Sequence, residues 1–244
     1  MGSHGEIARG TQVPRTNITT LEMIGKGSLS MQAYRVLRQA LVNGHFLPGQ
    51  RLIMAQLAQD LGVSITPARE ACMRLAAEHA LEVISGRFVQ VPQFTVQRYL
   101  DVRMIRLELE CLATALAAER ASAADVERLL AMIPDYERTS EGGDQVMAGQ
   151  YNRDFHFAIY RLSGVELLVD QIDNLWTLMG PMLAVFFRES ARLYTSSEEH
   201  RAAVEAIGRR DGAAAAAAMR RDILRGGEDI LAYLKSGVAV PSHG

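Results

Sequence analysis

Beyond Phe94, the apolar residues of this 244-residue chain recur at intervals of three and four as far as about Lys235. An α-helix turns once every 3.6 residues, so this interval places apolar side chains on one face of each helix. No convincing strand interrupts the pattern. We therefore predict that residues 94–236 form an all-α helical bundle of six or seven helices, and that the chain as a whole is mainly α.

Residues that begin or end helices divide this bundle. Ser122 with Asp125 three positions later predicts a capped helix start, and Glu141-Gly-Gly-Asp144 predicts a break. Gly180-Pro181 predicts the end of one helix and the start of another, because proline lacks the backbone N–H that a helix interior uses. Thr195-Ser-Ser-Glu198 predicts a further capped start.

The N-terminal third begins with three predicted helices. A helix that starts at Leu29 ends at Asn43-Gly44, and a second apolar set ends at Gly62; its members are Leu52, Leu57 and Leu61. Ser64-Ile-Thr-Pro67 then predicts the start of a third helix, because serine is a favoured N-cap and proline suits a first turn.

Two short strands complete this unit. Glu82–Val91 predicts them, with a turn at Ser85-Gly86. The elements follow the order of a winged helix-turn-helix: helix, helix, tight turn, helix and two-stranded wing. The third helix of such a domain enters the DNA major groove. We assign this domain to residues 29–93, with a flexible arm at 1–28 and a tail at 237–244.

Charge and composition agree with this assignment. Residues 1–95 hold nine Lys/Arg against six Asp/Glu, whereas the rest of the chain is net acidic, so the N-terminal part is the one suited to nucleic acid. No apolar run reaches the ~20 residues needed to cross a bilayer, so no membrane association is expected. Cys72 and Cys111 lie within apolar helical patterns and predict buried free thiols in a reducing cytoplasm.

The N-terminal domain resembles the GntR family of bacterial transcription regulators over residues 33–91. The resemblance rests on a long pattern with fixed spacing: Leu47-Pro-Gly-Gln-Arg-Leu52, Leu57-Ala58, Leu61-Gly-Val-Ser-Ile-Thr-Pro-Ala-Arg-Glu-Ala71 and Arg74-Leu75. It implies a DNA-binding regulator rather than an enzyme, and a homodimer, since helix-turn-helix dimers bind nearly palindromic operators.

Six residues are candidates for contact with double-stranded operator DNA. Ser64 and Thr66 offer hydroxyl groups at a helix N-terminus that attracts phosphate. Arg69 can bind a guanine edge or a phosphate, and Arg74 is better placed for the backbone. The chain departs from the family at Ile65, where an arginine is usual and a thymine methyl is the remaining partner. The wing is short and has Arg87 as its only cation.

The bundle resembles the ligand-sensing FCD domain of the FadR-type branch of that family. Three stretches carry the resemblance: Arg106–Ala113, Asn152–Ile159, and Glu199-His200 followed by Ala213–Met219. In that family an Asp and three His hold a divalent metal, and the matching positions here are Asn152, His156, His200 and Asp222. The resemblance thus implies zinc, nickel or manganese, with Asn in place of the usual Asp and Asp in place of a His.

Several alternatives remain open from the residues alone. Arg106 either binds a small carboxylate effector, as the resemblance implies, or forms an intrahelical pair with Glu110 four residues later. His156 and His200 either bind metal or are polar groups satisfied in a helical core. Two other functions compete with a regulator. One is a metal-dependent hydrolase built on His156, His200 and Asp222, with Glu199 as the only nearby base. The other is a bundle used for dimerisation alone.

Overall fold

The computed structural model describes residues 29–189 and 197–236. The predicted flexible arm at 1–28 and the tail at 237–244 therefore lie outside the described residues. The N-terminal elements are α1 (Leu29–Val42), β1 (Arg51–Ile53), α2 (Met54–Asp60), α3 (Ile65–Ala77), β2 (Glu82–Val83) and β3 (Phe88–Gln90). The C-terminal elements are α4 (Val96–Arg120), α5 (Ala123–Glu141), α6 (Gln145–Leu162), α7 (Glu166–Glu189), α8 (Ser197–Gly208) and α9 (Gly212–Lys235).

The N-terminal part is the predicted winged helix-turn-helix. Its wing strands pair antiparallel, with Val83 opposite Val89, and the chain turns between them at Ser85 and Gly86. One face of α3 is almost fully buried; it consists of Ala68, Ala71, Cys72 and Leu75. This face packs into a core shared with α1, so the opposite face of α3 points away from the domain.

The interpretation of Leu52 as part of a helical apolar set was wrong. Leu52 lies in β1, a third strand that pairs antiparallel with β3 and places Leu52 opposite Val89. The helix α2 begins only at Met54. A strand of three residues has no periodicity of its own, and its stability comes from pairing with a segment that lies almost forty residues further along the sequence.

The predicted helix starts differ in how they are capped. Ser122 and Asp125 form the expected reciprocal capping box at the start of α5. Ser64 occupies the N-cap position of α3, but its side chain makes no capping hydrogen bond. The expected cap at Thr195-Ser196 lies outside the described residues, which resume at α8 with Ser197.

Six helices form the described part of the bundle, which agrees with the prediction of six or seven. The predicted boundary at Gly180-Pro181 was wrong, because α7 runs without a break from Glu166 to Glu189. Pro181 removes one backbone hydrogen bond. Met179 and Met182 are at most 1% exposed on either side of it, and this core packing keeps both halves of the helix in line.

Helix α7 also contacts the winged helix-turn-helix. Gly180 packs so closely on α1 that a Cβ atom there would lie 2.5 Å from the Leu41 carbonyl oxygen and 2.7 Å from the Val42 Cα. Asp173 of α7 binds both Arg38 of α1 and Arg153 of α6 at 2.7 Å. The contact between the two parts is therefore made by backbone packing and by a shared carboxylate.

Both cysteines are buried free thiols, as expected, and burial raises the pKa of each to about 11. Among the described residues, no helix has the length and apolar character needed to cross a membrane.

Gly180→Ala should lower the free energy of unfolding by about 1–3 kcal/mol, because the added methyl group overpacks against backbone atoms that cannot rotate away. Chemical denaturation measures this change. Gly208→Ala is the matched control, since its new methyl would meet only the Val126 side chain at 3.5 Å, an ordinary contact distance. Equal stability of the two variants would contradict the close packing of α7 on α1.

Candidate metal centre and nucleic-acid interface

The outward face of α3 presents most of the predicted DNA-contacting residues. Ser64, Ile65, Thr66 and Arg69 are all exposed, and Arg69 makes no ion pair within the described ranges. Arg87 is exposed in the wing, directly after Gly86. These positions leave the Arg69 and Arg87 guanidinium groups accessible to an external phosphate or base, although their role in DNA binding stays a prediction.

Arg74 has intramolecular partners that the sequence pattern did not indicate. Its guanidinium lies 4.0 Å from the centre of the Tyr34 ring, and its Nε is 3.3 Å from Glu78 Oε1. The Tyr34 hydroxyl donates to the same carboxylate at 2.8–2.9 Å. Arg74 therefore connects α3 to α1, and a phosphate would have to compete with these contacts.

Three of the four predicted metal ligands converge inside the bundle. His156 Nε2 of α6 lies 3.1 Å from Asp222 Oδ2 of α9 and 3.3 Å from His200 Nε2 of α8. His200 Nε2 lies 3.7 Å from Asp222 Oδ1. All three residues are buried, and the Phe155 ring, 4.2 Å away, packs on the imidazole of His200.

Asn152, the fourth predicted ligand, lies one helical turn before His156 and lines a cavity that His156 and Asp222 also border. Its Oδ1 is buried and has no hydrogen-bond partner within the described part of the chain. Burying an amide oxygen without a partner is unfavourable, so this atom is suited to a cation or to a donor that enters the cavity.

A fully buried carboxylate determines the tautomer of His156. Glu110 accepts from Arg106 Nε at 2.6 Å, from Trp176 Nε1 at 3.0 Å and from the Tyr160 hydroxyl at 2.5 Å. Because Tyr160 gives its one proton to Glu110, its oxygen must accept the Nδ1–H of His156, which lies 2.7 Å away. In the neutral form of the ring, His156 Nε2 therefore presents its lone pair to Asp222 and His200.

The protonation of the neighbouring groups agrees with this arrangement. Burial, and next the Glu110 charge, raise the pKa of Tyr160, so the phenol remains a donor. Burial lowers the pKa of His200 to about 3, although Asp222 opposes the shift, so this imidazole is neutral at physiological pH. The centre therefore combines the neutral His200 imidazole with the His156 imidazole and the Asp222 side chain.

This donor set fits a divalent cation. Two ligand atoms bound to one tetrahedral zinc at about 2.0–2.1 Å stand about 3.3 Å apart. The two imidazole Nε2 atoms are 3.3 Å apart, and His156 Nε2 is 3.1 Å from Asp222 Oδ2. Two imidazoles and a carboxylate suit zinc, nickel or manganese, and the buried Asn152 oxygen in the adjoining cavity has no other partner among the described residues. The residues present thus match the metal that the sequence resemblance implies.

The cavity beside this centre has a volume of about 100 Å³, which is enough for a small organic molecule. Arg106 lines it, and its guanidinium also forms a bidentate pair with Glu110 and lies 4.6 Å from the centre of the Trp176 ring. Burial alone would lower the pKa of Arg106, but Glu110 raises it, so the group stays charged. The intrahelical pair with Glu110, left open by the sequence, is therefore present.

Sequence reasoning missed Tyr160 and the central position of Glu110. The signal was available for Tyr160, because it follows His156 by four residues and therefore shares its helix face. Trp176 is buried in the core, and it also donates to Glu110 and borders the cavity.

Glu199, the base considered for a hydrolase, is buried and pairs with Arg225 of α9. A role as general base would require Glu199 to break this ion pair.

The fold joins a winged helix-turn-helix to an all-α domain that contains a cavity, and this arrangement is typical of DNA-binding transcription regulators. Residues 29–91 match the family described as bacterial regulatory proteins, gntR family, and residues 101–225 match the FCD domain. The chain belongs to the GntR family and is a transcriptional regulator with an FCD domain. These two matches lie on either side of the predicted domain boundary at residue 93.

Similar proteins agree with this membership. The HTH-type transcriptional regulator McbR of Escherichia coli K12 is 38% identical over 156 residues, which cover 64% of this chain and 71% of McbR. The HTH-type transcriptional repressor GlaR of the same organism is 25% identical over 80% of this chain and 92% of GlaR. These relatives are named as transcriptional regulators, which points to a regulatory role rather than an enzymatic one.

Solved structures share the architecture. Escherichia coli McbR/YncC has a TM-score of 0.77 and 31% identity, and the match covers 86% of this chain and all of that one. A putative GntR regulator from Rhodococcus sp. RHA1, at 19% identity, has a TM-score of 0.66 over 85% of this chain and 98% of its own, and shows the fold alone.

Glu110→Gln should lower the free energy of unfolding by about 3–5 kcal/mol, because it leaves the buried Arg106 charge without its counter-ion. Glu108→Gln, which removes the exposed partner of Arg220, should cost about 0–1 kcal/mol. Denaturant titration of both variants measures the difference. Similar values for the two would show that Glu110 does not hold the helices together.

Proposed function

We propose that this regulator binds operator DNA as a homodimer, and that a small organic acid bound beside a divalent metal in the bundle cavity changes its operator affinity. The observation that carries the proposal is the convergence of His156, His200 and Asp222 on one buried point beside that cavity. A DNA-binding domain explains α3 and the wing. It does not require three metal-ligating side chains in the other part of the chain.

The charges at the centre favour an acidic effector. A divalent cation with Asp222 as its only anionic ligand leaves one positive charge, which a carboxylate would balance. The charge of Arg106 is already matched by Glu110, but its Nη1 donates to the Met179 sulfur at 3.2 Å. Sulfur is a weak acceptor, so a carboxylate oxygen in the cavity would be a better partner for that N–H.

Helix α7 offers a route from the cavity to the DNA-binding domain. Trp176, Met179 and Leu183 line the cavity, while Gly180 of the same helix packs on the backbone of α1. A ligand that displaces this part of α7 would therefore also displace α1. Regulation further requires that the acid bind the two arrangements with different affinity, since equal affinity shifts no equilibrium.

A second copy of the chain is expected at the exposed apolar face of α4. Met104, Ile105 and Leu112 are all exposed there, with Met104 at 61%. Contiguous apolar surface on a soluble domain marks interaction sites, and helix-turn-helix dimers bind two half-sites.

Operator DNA would also place the protein in the bacterial cytoplasm, as the sequence predicts.

His156→Ala and His200→Ala should each lower metal content, because each removes one of few strong ligands. Tyr160→Phe should weaken metal affinity about 10–100-fold, since it removes the acceptor that orients His156. Asn152→Asp should retain or strengthen binding through its added charge. The exposed His45→Ala is the matched control and should keep the parent's metal content. Elemental analysis and competition with a chelator measure these effects.

Calorimetry with a panel of small carboxylates then separates the alternatives for the same variants. Should a variant that carries both His156→Ala and His200→Ala keep full metal content and an unchanged acid response, the site lies elsewhere. If metal is lost while the acid still binds through Arg106, the metal is structural. A bundle that binds metal but never alters operator affinity would serve dimerisation alone.

Arg69→Ala should cost about 1–3 kcal/mol of operator binding if its guanidinium binds a guanine. Arg209→Ala, which removes an exposed arginine in the other part of the chain, should leave binding unchanged. Binding by the parent should weaken steeply with salt, because phosphate contacts release counterions. Fluorescence anisotropy measures affinity, and light scattering should find two chains per duplex. If the Arg69 variant binds operator DNA and random DNA as tightly as the parent protein does, the assignment of Arg69 is wrong.

A further inference from the structure

The outward face of α3 carries one cation between two apolar side chains. Ile65, Arg69 and Met73 follow one another at intervals of four residues, so they lie along one line of the helix. Ile65 is 45% exposed and Met73 is 48% exposed, so the packing of α3 on the domain core does not depend on them. Since α3 is the helix proposed to enter the DNA groove, these two exposed apolar side chains are suited to contact an apolar group on the DNA.

We propose that Ile65 and Met73 contact thymine methyl groups on either side of a guanine bound by Arg69. This inference rests on the proposed operator binding. The C5-methyl of thymine is an apolar group that the major groove presents at a base edge, and guanine offers the two acceptors that suit arginine. The half-site would then contain a guanine flanked by A·T pairs whose thymine methyl groups face α3.

The dimensions of the helix agree with this arrangement. Ile65 and Met73 are separated by about 12 Å along the axis, at about 1.5 Å per residue. Base pairs follow one another at about 3.4 Å, so a helix lying along the groove would span three to four base pairs between the two side chains. Methionine is flexible and polarisable, and it can adjust to a methyl group at the far end of this interval.

The position of Arg74 strengthens the assignment of Met73. Arg74 follows Met73 directly and is the cation expected to serve this end of α3. Its guanidinium lies instead over Tyr34 and next to Glu78. The second half of the helix therefore presents Met73, rather than a cation, as its exposed side chain on this line.

Replacement of thymine by deoxyuridine in the operator tests the inference without changing the protein. The full chain first selects duplexes from a random pool. Each thymine of the enriched half-site is then replaced singly by deoxyuridine, which lacks only the methyl group. Two replacements, one on each side of the guanine, should each weaken binding about three- to fivefold, the effect of losing one buried methyl group.

Two protein variants assign each methyl group to its side chain. Ile65→Ala and Met73→Ala should each bind the parent duplex about three- to fivefold more weakly and become insensitive to one of the two deoxyuridine replacements. Leu130→Ala, which shortens an exposed apolar side chain on α5, should keep full affinity and both sensitivities. A variant whose affinity no longer changes with one of the deoxyuridine replacements has lost the side chain that contacts the replaced methyl group.

Two results would overturn the inference. An enriched duplex whose deoxyuridine replacements all bind like the parent, or variants that keep both sensitivities, would show that neither side chain contacts a methyl group, while operator binding itself would stand. A pool that yields no enriched duplex would overturn operator binding and this inference together.

Discussion

The buried carboxylate of Glu110 connects three helices of the bundle. It accepts hydrogen bonds from Arg106 on its own helix α4, from Tyr160 on α6 and from Trp176 on α7. Moving a carboxylate out of water is unfavourable unless charge and hydrogen bonds compensate for it, and these donors supply both. The same contacts orient His156, because the Tyr160 hydroxyl donates its proton to Glu110 and accepts the imidazole Nδ1–H. The stability of the bundle and the geometry of the candidate metal centre thus depend on one network.

Helix α7 lies between the cavity and the winged helix-turn-helix. One side of it presents Trp176 and Met179 to the cavity, and another presents Gly180 to α1. Because Gly180 meets backbone atoms at close range, there is little space in which α7 could move without also moving α1. Asp173 adds a charged contact to Arg38 and Arg153 from the two parts of the chain. A single helix therefore has the contacts needed to relate a bound ligand to the position of the DNA-binding domain.

The candidate site could be predicted from the sequence only in part. His156 and Asn152 share a helix face, and this is a local property that their spacing reveals. The approach of His200 and Asp222 to them required the family resemblance, since these residues come from two further helices whose packing the spacing does not determine. The role of Arg106 required the structure, because a pair with Glu110 and a position beside the cavity are compatible with the same sequence interval.

Local chemistry by itself determined much of this protein. Periodicity, capping residues and glycine turns placed most helices and the wing, because each depends on residues only a few positions apart. Tertiary structure decided the rest. The strand β1 exists because Leu52 pairs opposite Val89, α7 continues through Pro181 because the core packs on both sides of it, and Arg74 is occupied because Tyr34 lies beneath it. These outcomes depend on the free energy of contacts between distant segments, and a local pattern contains no information about which distant segment will be the partner.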